Sequence, residues 1–144
     1  MAVLLVRHAK AGDRGKWDGP DDLRPITSKG VAQAEALVRV LAAYDVERVL
    51  SSPYLRCSQT VAPLAAARGL AVEPSDDLAE GEGRAGVALV RSLLSEPSHT
   101  VLCTHGDVME EVLDALAVER DEETPKGATW VLESREARYL PPPD

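Results

Sequence analysis

Five apolar residues, Ala2-Val-Leu-Leu-Val6, run without a break straight into Arg7-His8. A strand with one wet face alternates apolar and polar residues, so this run reads as a strand buried on both faces, as in a parallel sheet. Such a sheet needs helices on its faces to carry the chain from strand to strand. The rest of the sequence supplies them. After a cap at Thr27 or Ser28, Val31, Ala34, Val38 and Leu41 recur at helical spacing, with Leu37 widening the stripe, and predict a helix to about Tyr44. Arg48 to Ser51 predicts a second strand. A second helix then starts at Ser52-Pro53, with proline in its first turn, and ends near Arg68 before Gly69. Leu70 to Glu73 is the third predicted strand, Pro74 to Gly86 an acidic, glycine-rich loop, and Val87 to Leu94 the third helix, closed by Pro97. Thr100 to Cys103 gives the fourth strand, and Thr104-His105-Gly106 opens a helix with Val108, Val112 and Leu116 on one side. Ala128 to Glu133 and Ala137 to Leu140 predict two further strands, able to pair as a hairpin before a proline-rich tail. The alternation predicts a three-layer α/β/α sandwich with a mostly parallel central sheet.

At 144 residues the chain fits one domain of the usual ~100–200 residues, expected to span 1–144. The net charge is −8, which disfavours nucleic acid and anionic membranes as partners. Only 3% of residues are aromatic and Phe is absent, which removes stacking platforms for single strands. An anionic substrate must therefore be held by a local cationic cluster, with binding weakened by salt. No apolar run approaches the ~20 residues of a membrane span, and Met1 to Val6 lacks a basic region ahead of it. Cys57 and Cys103 fit no metal spacing and read as free thiols in a reducing cytoplasm, with a disulfide the alternative.

In α/β sheets, ligands bind where the carboxyl ends of strands meet helix N-termini. Arg7 and His8 follow the first predicted strand, Arg56 lies in the first turns of the helix after the second, and His105 opens the helix after the fourth. Each residue alone has an ordinary structural role to play. Together they place two of the three histidines and two arginines on one edge. His99 falls on the opposite edge and reads as an ordinary surface residue. Guanidinium forks match phosphate oxygens, and a neutral imidazole can attack phosphorus, so the set suits a phosphoryl group better than a metal. No P-loop GxxxxGK[ST] is present. The acid needed for the leaving group is Glu80 or Glu82, in the loop after the third strand. Trp17, in the long Ala9 to Pro25 loop, either walls the site or packs half-exposed.

These residues resemble the histidine phosphatase (phosphoglycerate mutase-like) superfamily. Leu5-Val-Arg-His-Ala9 is similar to its LxRHG signature, Ser51-Ser-Pro-Tyr-Leu-Arg-Cys-Ser-Gln-Thr60 to its SSPLxRAxQT segment, and Thr104-His-Gly106 to its third element. The resemblance runs from about residue 2 to 117. It implies a phosphoglycerate mutase-like fold, His8 as nucleophile, Arg7, Arg56 and His105 as phosphate ligands, Glu80 as general acid, and no cofactor or metal. Leu23-Arg-Pro-Ile-Thr-Ser-Lys-Gly30 resembles the RPLTxxG stretch of small SixA-like phosphohistidine phosphatases. Arg7-His-Ala-Lys-Ala-Gly12, with Trp17 and Asp21-Asp22, also looks like the phosphatase domain fused to Nudix hydrolases in some actinobacteria. Ala9 stands where the family usually has glycine. The asparagine that mutases carry after the nucleophile has no counterpart in Lys10 to Arg14, which argues against a mutase.

The expected activity is a metal-independent phosphatase with a phosphohistidine intermediate at His8, acting on phosphohistidine protein or a small phosphomonoester. The alternatives are a phosphatase of nucleotides or other small molecules, like the Nudix-fused relatives, and a non-catalytic module that binds a phosphorylated partner. Cys57, beside Arg56, is either a small buried helix residue or a point where oxidation disturbs the clamp.

Overall fold

The computed structural model describes residues 1–144. Its strands are β1 (Val3–Arg7), β2 (Val46–Ser51), β3 (Val72–Pro74), β4 (His99–Thr104), β5 (Thr129–Leu132) and β6 (Ala137–Leu140). Its helices are α1 (Ser28–Val40), α2 (Leu55–Ala67), α3 (Gly83–Leu94) and α4 (Gly106–Ala115). The strands form one sheet in the order β3-β2-β4-β1-β5-β6. β3, β2, β4 and β1 are parallel neighbours, while β5 and β6 form an antiparallel hairpin on the flank of β1.

Successive residues of β1 enter opposite cores, which is why the run shows no alternation. Leu4 and Val6 pack with Leu37 and Leu41 of the α1 segment and Val61 and Leu64 of α2. Val3 and Leu5 pack with Val90 and Leu93 of α3 and Val108 and Val112 of α4. β4 repeats the division, with Val101 and Cys103 on the first side and Leu102 on the second. Each fully buried side chain of this size stabilises by about 1.5–3 kcal/mol relative to exposure. No helix is long and apolar enough to cross a membrane.

Thr27 caps α1, its Oγ1 accepting the Gly30 N–H at 3.1 Å. The buried face of this segment is Gly30, Ala34, Leu37 and Leu41, whereas Val31 is 44% exposed. A side chain at Gly30 would strike the Lys10 carbonyl, so close approach to the first loop decides the helix's rotation. α2 starts later than Pro53. The Ser52 N–H continues the ladder to the Cys103 carbonyl, and Tyr54 takes the cap position. Gly69, at φ +67, ends the helix with the Leu70 N–H on the Ala65 carbonyl.

α3 begins at Gly83, so the expected loop to Gly86 is shorter. Both glycines are buried, and a Cβ on either would meet α4 at Glu111 or Val108. They serve helix packing instead of chain reversal. β3 lies slightly later than expected, and β6 falls on its expected residues. His99 is not an ordinary surface residue: it opens β4, its Nδ1 accepts the Ala2 N–H at 3.2 Å, and Tyr44 packs against it 6.0 Å away.

Candidate active site

Three adjacent strands, β2, β4 and β1, deliver the charged residues to one edge. Arg7 ends β1, and its Nη1 donates to the Thr124 carbonyl at 2.6 Å. Its guanidinium lies against the start of α4. A Cβ on Gly106 would sit 2.8 Å from Arg7 Cζ, so glycine is what lets the two meet.

His8 is 5% exposed. Its N–H bonds the Thr104 carbonyl, and its Nδ1 lies 2.9 Å from the Ala9 carbonyl. A carbonyl only accepts, so Nδ1 carries the proton and Nε2 keeps its lone pair. Burial, reinforced by His105, Arg56 and Arg7, lowers the His8 pKa to about 3. The ring is neutral at physiological pH.

Arg56 is fully buried. Its Nη1 donates to the Asp21 carbonyl at 2.8 Å, and its Nη2 to Asp21 Oδ2 at 3.1 Å and Glu80 Oε1 at 3.4 Å. The Tyr54 ring lies under it, 4.9 Å from Cζ. Thr60 joins α2 to the loop after β1: its Oγ1 accepts the Ala9 N–H at 2.8 Å and donates to the Arg56 carbonyl at 2.7 Å.

His105 Nε2 lies 2.8 Å from Ser52 Oγ, and its ring meets His8 edge-on with centroids 5.6 Å apart. Its Nδ1 is buried without a hydrogen-bond partner, 4.0 Å from Glu80 Oε1. Arg14 Nη2 donates to that same Glu80 oxygen at 2.9 Å. The Gly81 N–H, next in the chain, donates to Asp107 Oδ2 at 2.7 Å and ties the loop to α4. Burial alone would raise the Asp21 carboxyl, but Arg24, Arg56 and Arg14 hold it below its ordinary value.

A cleft of about 780 Å³ opens here, with Arg7, His8, Glu80 and His105 in its wall. Of its 14 lining residues one is hydrophobic, so it suits a charged ligand. The structure thus brings Arg7, His8, Glu80 and His105 together in the cleft wall, while Arg56, fully buried, reaches them through Glu80 and is not itself in the wall. Glu82 stands apart, exposed at the cap of α3. Trp17 does not wall the cleft. It is 38% exposed, donates to the Pro20 carbonyl and lines a separate hollow with Lys16 and Ile26. No group of three or more His, Cys, Asp or Glu is placed to hold a metal ion. Cys57 and Cys103 are free and buried, with Cys57 Sγ 3.6 Å from His105 Nε2.

Sequence reasoning missed Asp21, Arg14, Arg24, Ser52 and Lys126. Ser52, Arg24 and Asp21 lie in segments that resemble the family, and the place of Ser52 directly after a strand was a further signal. Arg14 and Lys126 lie in irregular segments with no periodicity to read.

An open α/β sheet with two arginines and two histidines at adjacent strand ends defines a phosphoryl-handling class, and comparison with known proteins gives it a family. Residues 3–85 match the histidine phosphatase superfamily (branch 1), and the chain belongs to it. It is 36% identical over 156 residues to an 8-oxo-(d)GTP phosphatase of Mycolicibacterium smegmatis, covering 99% of this chain and 48% of that protein. The chain therefore spans about half of that relative's length. The fold is similar to that of the protein histidine phosphatase SixA solved with tungstate, at TM-score 0.80, 22% identity, 97% of this chain and 94% of that one. It is also similar to a mycobacterial glucosyl-3-phosphoglycerate phosphatase, at TM-score 0.74, 17% identity, 96% of this chain and 95% of that one.

Proposed function

We propose that residues 1–144 form one domain that acts as a metal-independent phosphatase on a small phosphorylated compound, of which a nucleotide is the best-supported class. The observation that carries this reading is the neutral, buried His8, with Nδ1–H held by the Ala9 carbonyl and the Nε2 lone pair left for phosphorus. In the first step a bond forms between Nε2 and phosphorus, the bond from phosphorus to the leaving oxygen breaks, and Glu80 protonates that oxygen. In the second, water attacks the phosphohistidine and gives a proton to Glu80, releasing phosphate and restoring His8. Arg7, Arg56 and His105 hold the equatorial oxygens as charge builds on them.

The nucleotide class is supported by the relative that matches nearly the whole chain and is named for 8-oxo-(d)GTP. The polar lining of the cleft agrees with it. The free thiols suit a reducing cytoplasm. The test is phosphate release in EDTA from nucleoside phosphates, an aryl phosphate, a phosphohistidine peptide and phosphoglycerate, with His8→Ala alongside. We expect nucleoside phosphates to rank first and the variant to lose roughly a thousandfold or more of the rate. A phosphohistidine peptide ranking first would replace the substrate class. No release from any compound by the folded protein would leave a phosphate-binding module.

A further inference from the structure

Four lysines and arginines line the cleft: Arg7, Arg14, Arg24 and Lys126. Three of them already have acceptors. Arg7 donates to the Thr124 carbonyl, Arg14 to Glu80, and Arg24 to Asp21 and the Gly12 carbonyl. Lys126 has none. It makes no hydrogen bond and forms none of the molecule's ion pairs.

None of the five carboxylates in the cleft pairs with it. Glu80 is held by Arg14, Asp107 by the Gly81 N–H, Glu110 by Arg120 and the Thr124 N–H, and Asp13 by the Gly15 N–H, while Glu123 forms no ion pair. Partial burial, and then the charges of Arg7, Arg24, Arg56 and Lys10, lower the pKa of Lys126. An ammonium ion among cations is unfavourable in the empty protein and becomes favourable once an anion arrives.

Its backbone is fixed beside the nucleophile. The Gly127 N–H bonds the carbonyls of both Arg7 and His8, at 3.1 and 3.0 Å, and the Ala128 carbonyl accepts the Arg7 N–H at 3.0 Å. Gly127 turns the chain there at φ +86. The loop from Thr124 to Ala128 is strapped to the Arg7-His8 dipeptide, so the backbone of Lys126 is fixed beside the site while its exposed side chain lies on the cleft wall.

We propose that Lys126 binds a second phosphate, adjacent to the one held at His8, and that the substrate is a phosphoanhydride such as a nucleoside di- or triphosphate. This rests on the reading of the cleft as a phosphoryl site. Arg7, Arg56 and His105 take the phosphoryl group that is transferred, which leaves Lys126 for the phosphate that departs with the leaving group. A phosphomonoester of a neutral alcohol, or a phosphohistidine, offers nothing to fill that position.

Three compounds that the enzyme cannot hydrolyse test the assignment by calorimetry on the full chain: methylphosphonate, methylenediphosphonate and phosphonoacetate. We expect the diphosphonate to bind roughly tenfold or more tighter than methylphosphonate, the gain of one charge-assisted contact. Lys126→Met should reduce that ratio to about two or less, while Lys126→Arg keeps most of it. A ratio near one in the unaltered protein, or a ratio that survives Lys126→Met, overturns the proposal. Phosphonoacetate binding as tightly as the diphosphonate overturns the phosphate assignment, because a carboxylate would then serve equally well. Lys126 is exposed, and an unchanged melting temperature checks that each variant is folded. Binding does not depend on turnover, so failure of the catalytic reading would appear in the phosphate-release panel and not here.

Discussion

Burial sets the protonation of His8, and the same burial links its chemistry to stability. The ring titrates near 6.5 when the chain is unfolded and near 3 when folded. The folded state therefore binds fewer protons between those values. Its contribution is present in full above pH 6.5 and is lost as the pH falls from 6.5 through 3, by about 1.4 kcal/mol for each pH unit. The urea midpoint should therefore fall more steeply between pH 6.5 and 4.5 in the unaltered protein than in His8→Asn. Parallel slopes would mean that the ring is not desolvated as described. His8, Arg56 and His105 were legible in the sequence because each follows a strand that its apolar pattern gave away. Asp21 was not, since it reaches Arg56 across 35 residues from an irregular loop. Nor was Lys126, which sits in an irregular loop and lacks the acceptors that the cleft's arginines have.

At the scale of elements, glycines decide how closely helices approach the site. Gly106 leaves room for the Arg7 guanidinium against the first turn of α4. Gly106→Ala should displace Arg7 and weaken methylphosphonate binding roughly tenfold, a size typical of a lost charge-assisted hydrogen bond. Cost to global stability should stay within the ~1–3 kcal/mol usual for overpacking. Calorimetry and urea unfolding on one sample separate the two effects, and unchanged affinity would show that Arg7 tolerates the shift. Gly83 and Gly86 explain a misread boundary in the same terms. Glycine in sequence suggests a loop, yet both pack α3 onto α4. Val31 fits the period of α1 but faces water, because contact between Gly30 and the Lys10 segment fixes the helix's rotation. Periodicity located these helices, but their ends and rotation depended on partners distant in the chain.

The whole molecule carries −8, and its cleft sets Arg7, Arg14, Arg24 and Lys126 among five carboxylates. Repulsion over the general surface should make the protein select small anions, which can reach those cations, over polyanions. It should pass through phosphocellulose and DNA columns at pH 7, and calorimetric affinity for methylenediphosphonate should fall as salt rises. Retention on either column would mean that the cationic patch extends well beyond the cleft. The division of the core supports the same end. α1 and α2 cover one face of β1 and β4, α3 and α4 the other, and the loops that meet at His8 come from both layers.

The resting state of Arg56 also bears on how the product leaves. Its guanidinium is not bare in the empty protein, because Asp21 and Glu80 already lie against it. In the proposed reaction an arriving phosphate would compete with these tethered carboxylates, and a departing one would be replaced by them without waiting for a buried cation to be rehydrated. Such internal exchange would lower affinity for substrate and product alike, and it would keep orthophosphate from lingering after each cycle.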